Sequence, residues 1–221
     1  MENIQKKRMI IFGNKIPEKE LTKEQIDYIN SSDVIVRVNR MNNILHTGGR
    51  VDWWHPDICR GWLNFINDDE KIKDINFNQI SKIFLNYKSY KRLLIDNEMR
   101  RLFADRIFKM DYRELKTSKF DPMMWRYLRL KHQNKHWEIK PGQKVIPTTT
   151  ICLLSHFVEK FSSDYDIYIF GIDVENRGNL FHSNPIWKDT WHHDAGFLEE
   201  KYLKDLISKG KIRELKEDFK I

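Results

Sequence analysis

The stretch Trp191-His192-His193-Asp194 sets two adjacent imidazoles and a carboxylate directly ahead of an amphipathic run, "AGFLEEKYLKDLISKG". Histidine is the side chain whose unperturbed pKa lies nearest neutrality, so an imidazole here can take up or deliver a proton during a reaction. Metal binding is a poorer reading. Neighbouring side chains on a strand or helix point different ways, and no third ligand follows at His-x-x-x-His spacing. The plain alternative is a polar surface pair or a cap partner for the helix that follows.

The other chemistry-bearing stretches are weighed in the same way. "PTTTICLL" (147–154) reads as a helix start, with Thr148 or Thr149 as its N-cap. Hydroxyls beside free backbone N–H groups can bind a phosphate or a ribose, although such a stretch is often only a cap. "DYD" (164–166) has the Asp-x-Asp spacing that can hold a metal, but it precedes an apolar run instead of following it and is read as a solvated turn. Cys59 and Cys152 lie in unrelated segments without paired-ligand spacing. No metal site is therefore expected. Neither a Gly-x-Gly-x-x-Gly nor a Walker loop occurs, which argues against a dinucleotide dehydrogenase or a P-loop enzyme.

The elements that must position these groups follow from the apolar pattern. β-branched runs recur at 8–14, 33–39, 50–54, 82–88, 106–110 ("RIFKM") and 165–173, with polar, helix-like stretches between most of them. This alternation predicts an α/β fold, a single Rossmann-like domain over 1–221 with a mostly parallel sheet buried on both faces. A helix is predicted from the "PTTT" stretch, and a last one from about Phe197 to Lys209, stopped by Gly210. Residues 89–140 are read as a helical insertion that can lie over the sheet as a lid. In such sheets ligands bind where the strands end. The candidate contacts are therefore Gly13 and Asn14, Asn39 and Arg40, His55, Asn86 and Tyr87, and Gly171 and Asp173. Any one of them is also an ordinary turn residue.

With 221 residues and 40% hydrophobic content, the chain can bury one sizeable core. It lacks an apolar run of membrane-spanning length and a secretion-type start, so a cytoplasmic protein is expected. A net charge of +7 points to an anionic partner. That partner is a phosphorylated ligand or, for peripheral association, the anionic inner face of a membrane. Nucleic acid is disfavoured, because the seven tryptophans are scattered without an RNA-recognition pattern.

Taken in order, the segments resemble the sialyltransferases, both the animal-type family and the bacterial family of lipooligosaccharide enzymes. "IIFGN" matches the opening strand and its Gly-Asn loop. "DVIVRVN" followed by "TGGRVDWW" looks like the long motif, an Arg-x-Asn strand before a Gly-Lys/Arg-x-Asp stretch. "PTTTICLL" is similar to the short motif, with Thr150 in place of its glycine. "IYIFGIDVENRGNLFHS" resembles the next strand and ligand-binding loop. "HDAGFLEEKYLKDLISKGKI" resembles the last motif, in which a histidine leads a helix containing a glutamate; the interval from His193 to Glu199 is one residue longer than in the animal-type pattern.

The resemblance implies a CMP-sialic acid donor or a related CMP-activated sugar, a glycan or glycolipid acceptor, no cofactor and no metal. Asn14 and Asn39 match asparagines that contact the nucleotide, Arg37 belongs to the same Arg-x-Asn contact, and Thr148 and Thr149 match the Ser/Thr pair at the CMP-binding helix. His182 falls where the donor phosphate is hydrogen-bonded. His193 falls at the general base, with His192 the neighbouring alternative. The other reading, which needs no base, is a basic nucleotide- or nucleic-acid-binding module without catalysis, recognisable by a steep salt dependence.

Overall fold

The computed structural model describes residues 5–56, 68–86, 93, 96–109, 120–123, 147–175, 177 and 195–221. Among these, seven strands form one sheet: β1 (Lys7–Phe12), β2 (Val34–Val38), β3 (Trp53–His55), β4 (Lys82–Asn86), β5 (Phe120–Met123), β6 (Tyr165–Phe170) and β7 (Arg213–Leu215). Their spatial order is β5-β4-β3-β2-β1-β6-β7, and every pairing is parallel. The expected α/β architecture with a parallel sheet is what the chain adopts.

The central strands are apolar throughout because both of their faces are covered. In β1, Met9 and Ile11 enter one core while Ile10 and Phe12 enter the other. Helices α4 (Thr149–Phe161) and α5 (Ala195–Ser208) cover the first face, bringing Ile151, Leu154, Phe157, Leu203 and Leu206 onto Val36, Ile167 and Ile169. On the opposite face α1 (Lys23–Asn30) packs Ile29 against Ile10 and Ile35. Towards the β4 edge, the short α2 (Asp69–Ile72) and α3 (Asn97–Leu102), which runs on into a π-helical segment (Phe103–Phe108), adjoin a third cluster that includes Trp54, Phe77, Ile83 and Phe108. Burying each large apolar side chain in these clusters is worth about 1.5–3 kcal/mol.

The helix ends follow the sequence. Thr22 and Gln25 form a reciprocal capping box at the start of α1. At the end of α5, Gly210 takes φ +64°, while the N–H of Lys211 reaches the Leu206 carbonyl and that of Gly210 the Ile207 carbonyl. This pair of bonds closes the helix as a Schellman motif.

One strand expectation is overturned. "RIFKM" (106–110) is not a strand: its first three residues end the π-helical segment, and Ala104, Ile107 and Phe108 are buried together. Their spacing of three and four residues is a helical period, which a short apolar run conceals. Within 89–140 the described residues also supply β5, at the sheet edge beside β4. Pro122 is tolerated there because an edge strand has one unpaired side.

The strand order fixes where a site can form. From β1 the chain advances through β2, β3, β4 and β5 in one direction, then returns so that β6 pairs with the other side of β1. The connections therefore diverge at the carboxyl ends of β1 and β6, the topological switch point beside which ligands bind in sheets of this kind. No helix of the described residues is long and apolar enough to cross a membrane.

Candidate functional site

Because all the strands run parallel, Asn86, His55, Asn39, Gly13–Asn14 and Gly171–Asp173 emerge along a single edge of the sheet, in that spatial order. At about 4.8 Å per strand the row from β4 to β6 spans about 19 Å. Helix α4 precedes β6 and α5 follows it, so Thr148 and the start of α5 lie at the same edge. "DYD" lies at the opposite one, but only Asp164 is in the turn expected there; Tyr165 and Asp166 are the first two residues of β6. His182, His192, His193 and Tyr87 lie outside the described residues.

The centre of the row is tightly built. Phe12 pairs with Arg37, so Asn14 and Asn39 each follow that pair by two residues on adjacent strands. Asn39 takes φ +53°, a left-handed conformation that asparagine accepts more readily than most residues. Its N–H donates to the His55 carbonyl at 2.8 Å, and its carbonyl accepts from Trp54 Nε1 at 2.9 Å. The backbone is thus fixed on both sides. The side-chain oxygens of Asn14 and Asn39 are both buried and have no hydrogen-bond partner among the described residues. A buried acceptor without a donor costs about 1–3 kcal/mol, so two of them at neighbouring strand exits are suited to a ligand that carries N–H or O–H groups.

Gly13 lies against the other side of the switch point. Its N–H donates to the Phe170 carbonyl at 2.8 Å, and a Cβ in its place would stand 2.1 Å from the Gly171 carbonyl oxygen. Only glycine fits this crossing.

Several expected contacts hold the site from beneath. Arg37 is wholly buried. Its Nε donates to the Arg50 carbonyl at 2.8 Å, Nη1 to Thr47 Oγ1 at 2.7 Å and Asn43 Oδ1 at 3.2 Å, and Nη2 to the Thr47 carbonyl at 3.1 Å. The guanidinium lies 4.3 Å from the centre of the Phe12 ring. Burial pushes Arg37 down to about 9, with Asp52 opposing the shift. His55 is also fully buried, and its Nδ1 donates to the Phe84 carbonyl at 2.6 Å.

Thr148 is bound to a residue not among the expected contacts. Its backbone N–H donates to Glu199 Oε1 and its hydroxyl to Glu199 Oε2, the latter at 3.2 Å. Glu199, on α5, has no solvent exposure and pairs with Arg177 Nε at 2.5 Å. Arg177 also donates to Thr148 Oγ1 at 3.1 Å and to the Asp173 carbonyl at 3.4 Å. A carboxylate therefore occupies the positive end of α4, where it is favoured by the helix dipole. Thr149 is half-buried in the first turn.

Asp173 faces the other way and pairs with Lys15 at 3.3 Å, which raises the Lys15 pKa, Asp173 being the largest cause. They border a cleft of about 290 Å³ whose lining also includes Glu18, Glu175, Glu214 and Glu217. Burial pushes Glu214 up from the ordinary carboxylate range. The density of carboxylates opposes a phosphate in this cleft.

Sequence reasoning did not single out Arg177 or Asn43, and it named Glu199 only as part of a motif. Arg177 and Glu199 are 22 residues apart, and only the fold brings them to Thr148. Among the described residues no group of three or more His, Cys, Asp or Glu side chains is placed to hold a metal.

No protein-family model matches the chain, and no curated protein matches it in sequence. Among solved structures it is similar to a mammalian sialyltransferase crystallised with Gal-beta-1-3GalNAc-ortho-nitrophenol. The TM-score is 0.47 and the identity 13%, covering 95% of this chain and 69% of that one.

Proposed function

We propose that this chain is an inverting glycosyltransferase that moves sialic acid, or another CMP-activated sugar, onto a glycan hydroxyl. The observation that carries the reading is the pair of unsatisfied amide oxygens of Asn14 and Asn39 at adjacent strand exits beside the switch point. Ribose hydroxyls and the cytosine amine are donors of the kind these oxygens lack. The sequence motifs supply the rest of the reading. Thr149, in the first turn of α4, adds a hydroxyl on the nucleotide side, while His182 hydrogen-bonds the departing phosphate.

In the reaction the acceptor oxygen attacks the anomeric carbon, the bond from that carbon to the phosphate oxygen breaks, and the electron pair leaves on CMP. His193 takes the acceptor proton as the new bond forms, a contribution worth about 10² to 10⁴ in rate. Direct displacement inverts the anomeric centre. The leaving phosphate is stabilised by hydrogen bonds, without a metal.

The test is a hydrolysis and transfer screen of CMP-, UDP- and GDP-sugars, with and without EDTA. Turnover confined to CMP-sugars and unchanged by chelation is expected. Preference for a UDP- or GDP-sugar would overturn the donor, and a loss of more than about tenfold on chelation, restored by metal, would overturn the metal-free mechanism. In the same assay His193→Ala should lower kcat strongly and leave CMP affinity nearly intact, while His192→Ala should do much less. The reverse order would move the base to His192.

A further inference from the structure

The turn that carries Asn14 is held by a single side chain that lies outside the motifs. Asn43, fully buried, donates from Nδ2 to the Gly13 carbonyl at 3.0 Å and to the Lys15 carbonyl at 2.9 Å, so one amide group grips the backbone on both sides of Asn14. Its Oδ1 accepts from Arg37 Nη1. Its own backbone carbonyl accepts from Thr47 Oγ1 at 2.7 Å, the hydroxyl that Arg37 also contacts. The turn is hemmed in from the β6 side as well: a Cβ on Gly171 would stand 3.0 Å from the Lys15 carbonyl oxygen and 3.3 Å from Asn43 Nδ2. The turn has little freedom, and at its tip the buried Oδ1 of Asn14 has no partner among the described residues.

We infer that Asn43, backed by Arg37, is a positioning residue: it fixes the Gly13–Lys15 turn so that the Asn14 amide is presented to the ligand in one orientation. Asn43 does not touch the ligand. A buried guanidinium held by neutral oxygens is a costly way to stabilise a loop, and the cost is understandable where the loop must be rigid before the ligand arrives. The inference rests on the nucleotide reading for the identity of the ligand, but its mechanical part does not.

The test has a ligand-free arm and a ligand arm. Asn43→Asp keeps an oxygen for Arg37 and removes the donors to Gly13 and Lys15. The N–H groups of Gly13 and Lys15 donate to the Phe170 and Gly171 carbonyls, so without the Asn43 grip the turn should open locally, and their hydrogen exchange measured without ligand should accelerate by about tenfold or more relative to the core amides of Ile10 and Ile169. Unchanged relative exchange at Gly13 and Lys15 would overturn the inference whatever the protein binds. In case the variant does not fold, the wild type gives its own reading. The Asn43 side-chain amide protons should be protected and should open together with the Gly13 and Lys15 amides; exchange at the rate of a free amide would overturn the inference.

The ligand arm uses CMP and calorimetry. Asn14→Ala and Asn43→Asp should each weaken CMP by about tenfold, and the double variant should bind no more weakly than Asn14→Ala alone, because Asn43 acts through Asn14. Additive losses would overturn the positioning role. Failure of the wild type to bind CMP would instead overturn the nucleotide reading and leave the exchange arm to decide on the turn.

Discussion

Two arginines are buried at the carboxyl edge of the sheet, one on each side of the switch point, and they are held by contrasting means. Arg37 is surrounded by neutral oxygens and the face of Phe12. Arg177 is paired directly with the Glu199 carboxylate, and both donors of Thr148 are bound to the same carboxylate. The first network is local. It joins β2 to the 3₁₀ turn Leu45–Thr47 and, through Asn43, to the exit of β1. The second is long-range and ties the start of α4 and the loop after β6 to α5. The difference shows how one fold fixes two neighbouring parts of the same sheet edge. A single loop is set by shape and hydrogen bonds, whereas separate helices are locked by a compensated charge pair.

The contrast is broken most severely at Glu199. Removing one partner of a buried pair leaves the other charge stranded, so Glu199→Ala should lower the unfolding free energy in urea by about 3–5 kcal/mol. A loss below about 1 kcal/mol would mean that Arg177 is hydrated in the folded chain. Arg37→Met removes the charge together with its desolvation cost and leaves several acceptors without a donor. Its effect should be smaller, about 1–3 kcal/mol in the same titration. If Arg37→Met proved the more damaging change, the neutral network would be the stronger of the two. The smallest effect is expected for Thr148→Val, about 1 kcal/mol, because Glu199 keeps both the Thr148 N–H and Arg177.

Much of this architecture was legible where one residue's type decides its local structure. The apolar runs of β1, β2, β4 and β6 announced buried strands, the Thr148–Thr149 pair a helix start and Gly210 a helix stop. β5 and β7 were not legible, since "FDPM" and "REL" are short edge strands whose partners lie far away in sequence. "RIFKM" misled because so short an apolar pair, Ile107 and Phe108, suits either period. The exits of the strands were found by position alone, and Asn14 and Asn39 were among them. What each exit residue does was not legible. Arg37 and Asn43 stand in or beside "RVNRMNNILHTGGR", a polar run whose burial follows from the packing of β1, β6 and the turn. Glu199 and Arg177 depend on the crossover that returns the chain to β1.

The claim that most needs testing is that the β1 and β2 exits bind a cytidine nucleotide through Asn14 and Asn39. Isothermal titration of CMP, UMP and GMP into the wild type, Asn14→Ala and Asn39→Ala tests it directly. The account predicts that CMP binds best and that each substitution weakens it by about 1–3 kcal/mol, the range for a lost buried hydrogen bond. Equal affinity for the three nucleotides, or CMP affinity unchanged in both variants, would contradict it.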